Sequence, residues 1–80
     1  MAENIRVSCK INRFWDIENK EFLGDEVEGN LIAFTTQSDE DDNEKIVPAG
    51  IVELDANVAL EIEDGTLQSV PVEFITRIIP

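Results

Sequence analysis

The sequence predicts an all-β fold: a small single-domain barrel or sandwich of five to six short strands, SH3-like or OB-like in architecture. Three observations carry this. Apolar and polar residues alternate over several short segments, the signature of half-buried strands. These segments recur at roughly ten-residue spacing between turn signals. No segment shows apolar residues at i, i+3, i+4 and i+7 with helix caps. The chain has 80 residues, 42% of them hydrophobic, enough for one core in one domain over residues 1–80.

The first strand is the clearest. Ile5, Val7, Cys9 and Ile11 alternate with Arg6, Ser8, Lys10 and Asn12, so the first set faces the core. Continued parity sends Trp15 and Ile17 inward and Phe14 outward. Two adjacent large aromatics cannot both face inward on a regular strand, so either a bulge re-aims one or Phe14 is exposed. Glu18-Asn19-Lys20 reads as a turn into a short strand holding Phe22 and Leu23. Gly24-Asp25-Glu26 reads as a polar connection, and Val27 to Thr36 as the next strand, with Gly29 marking a bulge or bend.

Beyond the central segment, Pro48 marks a strand start or edge, and Gly50, Val52 and Leu54 alternate with Ile51, Glu53 and Asp55. Val58, Leu60 and Ile62 read as a strand leading into Asp64-Gly65, which suits a type I′ hairpin turn. That turn pairs Ile62 with Leu67 and Leu60 with Ser69. Val70, Val72 and Phe74 have the opposite parity to Leu67, which predicts a bulge or break near Ser69–Pro71. The ending FITRIIP closes the sheet as a short strand or a 3-10 turn.

Charge restricts function more than any motif does. Eighteen acidic residues face six basic ones, a formal charge of −12. Such a surface repels nucleic acid and anionic lipid, since neutralising phosphates requires clustered Lys and Arg. Direct nucleic-acid and membrane binding are therefore not expected, and a basic protein surface is. The single cysteine cannot form an internal disulfide, and no apolar run reaches bilayer length. A soluble, cytoplasmic protein is the expectation.

The stretch SDEDDNEK, within an acidic loop at 37–45, holds Asp39, Glu40, Asp41, Asp42 and Glu44. Asp39, Asp41 and Asn43 fall at the first, third and fifth positions of an EF-hand-like loop. The sixth and twelfth positions hold Glu44 and Gly50 where Gly and Glu are needed, so no metal site is expected. Without histidine, neither a closed zinc site nor the commonest general base is available. Cys9, between Val7 and Ile11 on one face, reads as a small buried hydrophobe. No catalytic residue and no cofactor are expected.

Two binding roles remain. In the first, the acids are the working surface: the central loop, with Glu61 and Glu63 as a second patch and Phe14 or Trp15 as an aromatic anchor. In size and charge alone the chain resembles the nucleic-acid-mimicking inhibitors of phages and mobile elements, a resemblance that implies a competitor for the basic groove of a nucleic-acid-handling protein. In the second, Ile51, Ile75, Ile78 and Ile79 form an apolar patch for homo-oligomerisation or docking into a larger assembly.

Overall fold

The computed structural model describes residues 5–39 and 42–78. Five strands, β1 (Ile5–Asp16), β2 (Glu21–Ser38), β3 (Ile46–Leu54), β4 (Thr66–Pro71) and β5 (Ile75–Arg77), form one antiparallel sheet in the order β4-β3-β2-β1-β5. Two 3-10 turns, Val58–Leu60 and Val72–Phe74, flank β4. Among the described residues there is no α-helix, and no helix long and apolar enough to cross a membrane.

The alternation of β1 does what its pattern predicts from Val7 to Ile11, whereas Ile5 at the strand start is exposed. Val7, Cys9 and Ile11 are buried, and with Val27 of β2, Val52 and Leu54 of β3 and Val70 of β4 they form the core. Each buried Val or Leu contributes about 1.5–3 kcal/mol relative to exposure. The sheet curls over this core. A Cβ added to Gly50 of β3 would meet the Cδ1 atoms of Leu31 at 2.7 Å and Ile75 at 2.8 Å, although β5 lies three places away in the strand order. β4 and β5 remain the two edges of the sheet.

A bulge does form in β1. Ile11 pairs with Asp25 and Phe14 with Leu23, so Asn12 and Arg13 stand opposite Gly24 alone. Asn12 takes a left-handed conformation at φ 52°, which Asn tolerates better than most residues, and its amide donates to Asp25 Oδ2 at 3.0 Å. The bulge presses the Ile11 carbonyl oxygen to 2.5 Å from where a Gly24 Cβ would be. Phe14 is outward as expected, at 58% exposure, but Trp15 at 50% and Ile17 at 79% are not in the core. Beyond the bulge, among the described residues, no third strand pairs with the β1–β2 hairpin, so Trp15 and Ile17 on this arm are left largely in solvent.

That arm also overturns the expected break in β2. Gly24, Asp25 and Glu26 lie within one strand from Glu21 to Ser38, with Asp25 and Glu26 paired to Ile11 and Lys10. The turn before it is Ile17–Lys20, where the Asp16 carboxylate accepts from the Glu18 amide at 3.0 Å and the Asn19 side chain at 2.7 Å. The radius of gyration, 13.2 Å, exceeds the about 12 Å of a spherical domain this size. The molecule measures 41 × 28 × 23 Å.

Gly29 is not itself the site of a bulge. The irregularity in β2 lies between Leu31 and Ala33, with Ile32 as the extra residue. Gly29 is instead flanked on both sides, by Val7 and by Leu54, and a Cβ there would overlap the Glu53 carbonyl oxygen.

The last third departs most. Val58–Leu60 is a 3-10 turn, with Val58 93% exposed, and not a strand. Asn57 starts it by accepting from the Leu60 amide at 3.1 Å, then bridges to Ile62. Asp64-Gly65 is a turn and Gly65 has φ 86°. Its amide donates to Leu54, however, and β4 pairs with β3, so neither Ile62–Leu67 nor Leu60–Ser69 is a pair. The predicted break near Ser69–Pro71 is absent: the ladder runs in register from Leu54–Thr66 to Ala49–Pro71. The parity conflict resolves because Leu67 faces solvent while Val70 is buried. The closing segment starts on Phe74, the last residue of the 3-10 turn, and continues as the short strand β5.

Replacing Gly29 with Ala forces its new methyl against backbone. The Gly29→Ala variant should lose about 1–3 kcal/mol of unfolding free energy in urea titrations. A loss below about 0.5 kcal/mol, as at an ordinary surface position, would refute the tight crossing.

Candidate functional site

The acidic loop joins β2 to β3 and is closed by backbone hydrogen bonds. The Asp39 amide donates to Lys45 O at 2.8 Å, and the Lys45 amide to Asp42 O at 3.0 Å. The Asp42 carboxylate accepts from the Glu44 amide at 3.0 Å, a local side-chain turn. Lys45 Nζ stands 3.9 Å from Asp39 Oδ2. Asp42 and Glu44 are exposed. Glu40 and Asp41 lie outside the described residues. Gly50, at the twelfth loop position, is buried within β3 and brings no ligand to the loop.

The aromatic candidates connect to this loop through residues the sequence reading did not select. Trp15 meets Phe22 edge to face, with centroids 4.9 Å apart, and Phe22 meets Phe74 in the same manner at 5.3 Å. The Arg13 guanidinium lies 4.6 Å from the Phe74 centroid, a cation–π arrangement. Phe22 and Phe74 then wall a cleft of about 240 Å³ together with Asp39, Lys45 and Glu73. Trp15 and Asp39 therefore belong to one end of the molecule. Phe14 is exposed beside them in sequence but takes no part in these ring contacts.

Glu61 and Glu63 do not join that end. Both are exposed, on the connection between the first 3-10 turn and β4 rather than on a strand. They lie past the opposite end of β3, whose nine residues span about 27 Å. The acids singled out in the sequence thus fall at two separate places and not on one continuous face.

A third acidic group surrounds Arg6. Its guanidinium donates to both carboxylate oxygens of Asp55, through Nη1 at 2.9 Å and through Nη2, and also to Asn30 Oδ1 at 3.1 Å. Glu28 Oε1 is 3.7 Å away. Glu26, Glu28 and Asp55 border a polar cleft of about 420 Å³. Arg6 and Asp55 are 49 residues apart, and only the pairing of three strands brings them together. The Arg6 hydrogen bond is the main reason the Asp55 carboxyl lies below its ordinary value, its charge adding to the effect against partial desolvation.

An apolar cleft of about 290 Å³ lies at the mouth of the curled sheet, between Ile5, Leu31, Phe34, Val72 and Ile75. Of the apolar residues singled out in the sequence, Ile75 lines it. Ile51 and Ile78 are half-buried, and Ile79 lies outside the described residues. Cys9 is buried, and burial pushes its thiol up, away from the nucleophilic thiolate. Comparisons with protein-family models, curated proteins and solved structures found no match.

The depressed Asp55 carboxyl links stability to pH. Its contribution is fully present above the unfolded carboxylate value of about 3.9 and is lost as pH falls through the lower folded value. The stability gap between the wild type and Arg6→Met should be constant near neutrality and close in acid, as read from urea midpoints. A gap unchanged down to the acid limit would remove the ion pair from the account. Cys9 should resist a thiol-specific chromogenic reagent in the native protein and react fully in denaturant. Rapid native labelling would contradict its burial.

Proposed function

We propose that this chain is a non-enzymatic acidic module that binds a basic protein surface, and that the surface belongs to a protein that handles nucleic acid. The observation carrying this reading is the end of the molecule where Trp15, Phe22 and Phe74 adjoin Asp39 and the acidic loop. Rigid aromatic rings supply desolvated contact area at small entropic cost, and carboxylates around them steer and pair with Lys and Arg. The loop's own hydrogen bonds hold several acids close together before any partner arrives. Glu61 and Glu63, on the far side of β3, would contact the same partner only if its basic surface were about as long as that strand. The mode of action is competitive: the acids occupy arginines and lysines that would otherwise hold phosphates. The curled sheet, with a 3-10 turn between its last two strands, supports a partly open barrel of the SH3-like kind as its scaffold.

A second reading is favoured by the apolar cleft and the two sheet edges. Ile5, Phe34 and Val72 are exposed large hydrophobics around it, and unpaired edges invite strand addition. In that reading the chain associates with its own copies or docks into a larger assembly, and the acids only keep it soluble.

Salt separates the two. Retention of the partner on immobilised protein should fall about tenfold or more between low and moderate salt, and duplex DNA or RNA should displace it. Double charge reversal at Asp42 and Glu44 to Lys should weaken retention similarly while leaving the fold intact by circular dichroism. Partners held equally at high salt, or recovery of only the chain's own copies in light scattering, would favour the assembly reading.

A further inference from the structure

We propose that the groove between the start of β3 and the second 3-10 turn is a binding site for an extended peptide segment alternating basic with apolar residues. The inference rests on the reading of a basic protein partner and supplies the part of that partner which is recognised. Two adjoining cavities, about 240 and 200 Å³, share Asp39, Lys45, Val47, Pro71 and Glu73 as walls. One ends against Phe22 and Phe74, the other against Pro48 and Val72. They lie side by side along these shared walls.

The groove lies where β3 extends beyond its pairing with β4. The β3–β4 ladder ends at Ala49–Pro71, whereas β3 continues back through Pro48, Val47 and Ile46 alongside β2. After Pro71 the chain leaves the sheet as a 3-10 turn. A strand position beside Val47 and Pro48 is thereby left open, with the turn as its opposite wall. Pro48 has no N–H to offer there, so an extended segment at that position is held by its side chains and not by a full ladder. Rigid Phe and Pro surfaces order little on binding, which favours apolar side chains against them.

Charge decides the other half of the ligand. Asp39, Glu73 and Lys45 all line the groove, and Lys45 lies 3.9 Å from Asp39. Asp42 and Glu44 are exposed in the adjoining loop, on a chain of net charge −12. Arginine or lysine is attracted here, while an acidic segment or a nucleic acid is repelled. The chain already seats the Arg13 guanidinium on Phe74, so cation and ring are compatible at this end.

The test is an amide chemical-shift titration of the full chain with a peptide in which Arg alternates with Pro and Leu, at about 0.1 M salt. Saturable shifts should concentrate at Phe22, Val47 and Glu73. A matched peptide with Glu in place of Arg should give none. Glu73→Lys should weaken binding about tenfold, while the same charge change at Glu63→Lys, beyond the other end of β3, leaves affinity within about twofold. Equal loss from both variants, or shifts spread over both acidic ends, would overturn the groove while leaving the basic-partner reading standing. Absence of saturable shifts would overturn it as well. Groove binding without any basic partner in the retention experiment would instead remove the broader reading.

Discussion

A single three-residue crossing in β2 sets the shape of the rest. Before it, β2 is paired with β1; after it, with β3. Among the described residues β2 carries both neighbours only at Gly29, Asn30 and Leu31, Val7 and Leu54, Arg6 and Glu53, Ile5 and Val52 in turn. Two hairpins joined along so short an overlap enclose one core only if the shared strand bends there. The missing side chain of Gly29 lets the Glu53 backbone close in, and the extra residue at Ile32 adds curvature. The curl then brings Ile75 over Gly50, and a single sheet buries its own inner face.

The outer side of that crossing organises charge. Arg6, beside Asn30, reaches forward to Asp55 and ties the end of β3 to the start of β1. Other cations are used similarly within the chain: Lys10 donates to the Phe22 carbonyl at 3.0 Å, Arg13 covers Phe74, and Lys45 approaches Asp39. With these basic side chains turned to internal partners, the field beyond the surface is dominated by carboxylates. The internal contacts therefore do more than stabilise. They decide which sign of charge a visiting molecule meets.

How much of this was legible depended on whether the information was local. Val7, Cys9, Ile11, Gly50, Val52 and Leu54 lie in uninterrupted alternation, so burial followed from period alone. The adjacency of Phe14 and Trp15 left a bulge or an exposed Phe14 as alternatives; both occur, and the bulge at Asn12 and Arg13 brings neither ring into the core. Gly24-Asp25-Glu26 misled because its composition is that of a turn, whereas its glycine answers to the Ile11 carbonyl opposite. Asp64-Gly65 is a turn, but its partner was set by Leu54, ten residues earlier in the chain than Asp64, and by Asn57 diverting Val58–Leu60 into a 3-10 turn. At the candidate site, Asp39, Asp42 and Trp15 stood out in the sequence. Phe22, Phe74 and Glu73, which bring them to one end, carried no signal because their meeting is a property of the curl.

The aromatic contacts serve two purposes that cannot be separated by removing a ring. The β1–β2 arm beyond the bulge is two-stranded, and an isolated hairpin is marginal in water. Phe22, meeting Trp15 on one side and Phe74 on the other, braces that arm against the turn that follows β4. The same brace forms a wall of the groove. Truncating Phe74 would release the arm and the wall together, and lost binding would then say nothing about recognition. Glu73 is adjacent, exposed and outside the ring contacts. Its charge can be changed while the brace stays in place, so it is the position where what this end of the molecule recognises can be distinguished from what holds it together.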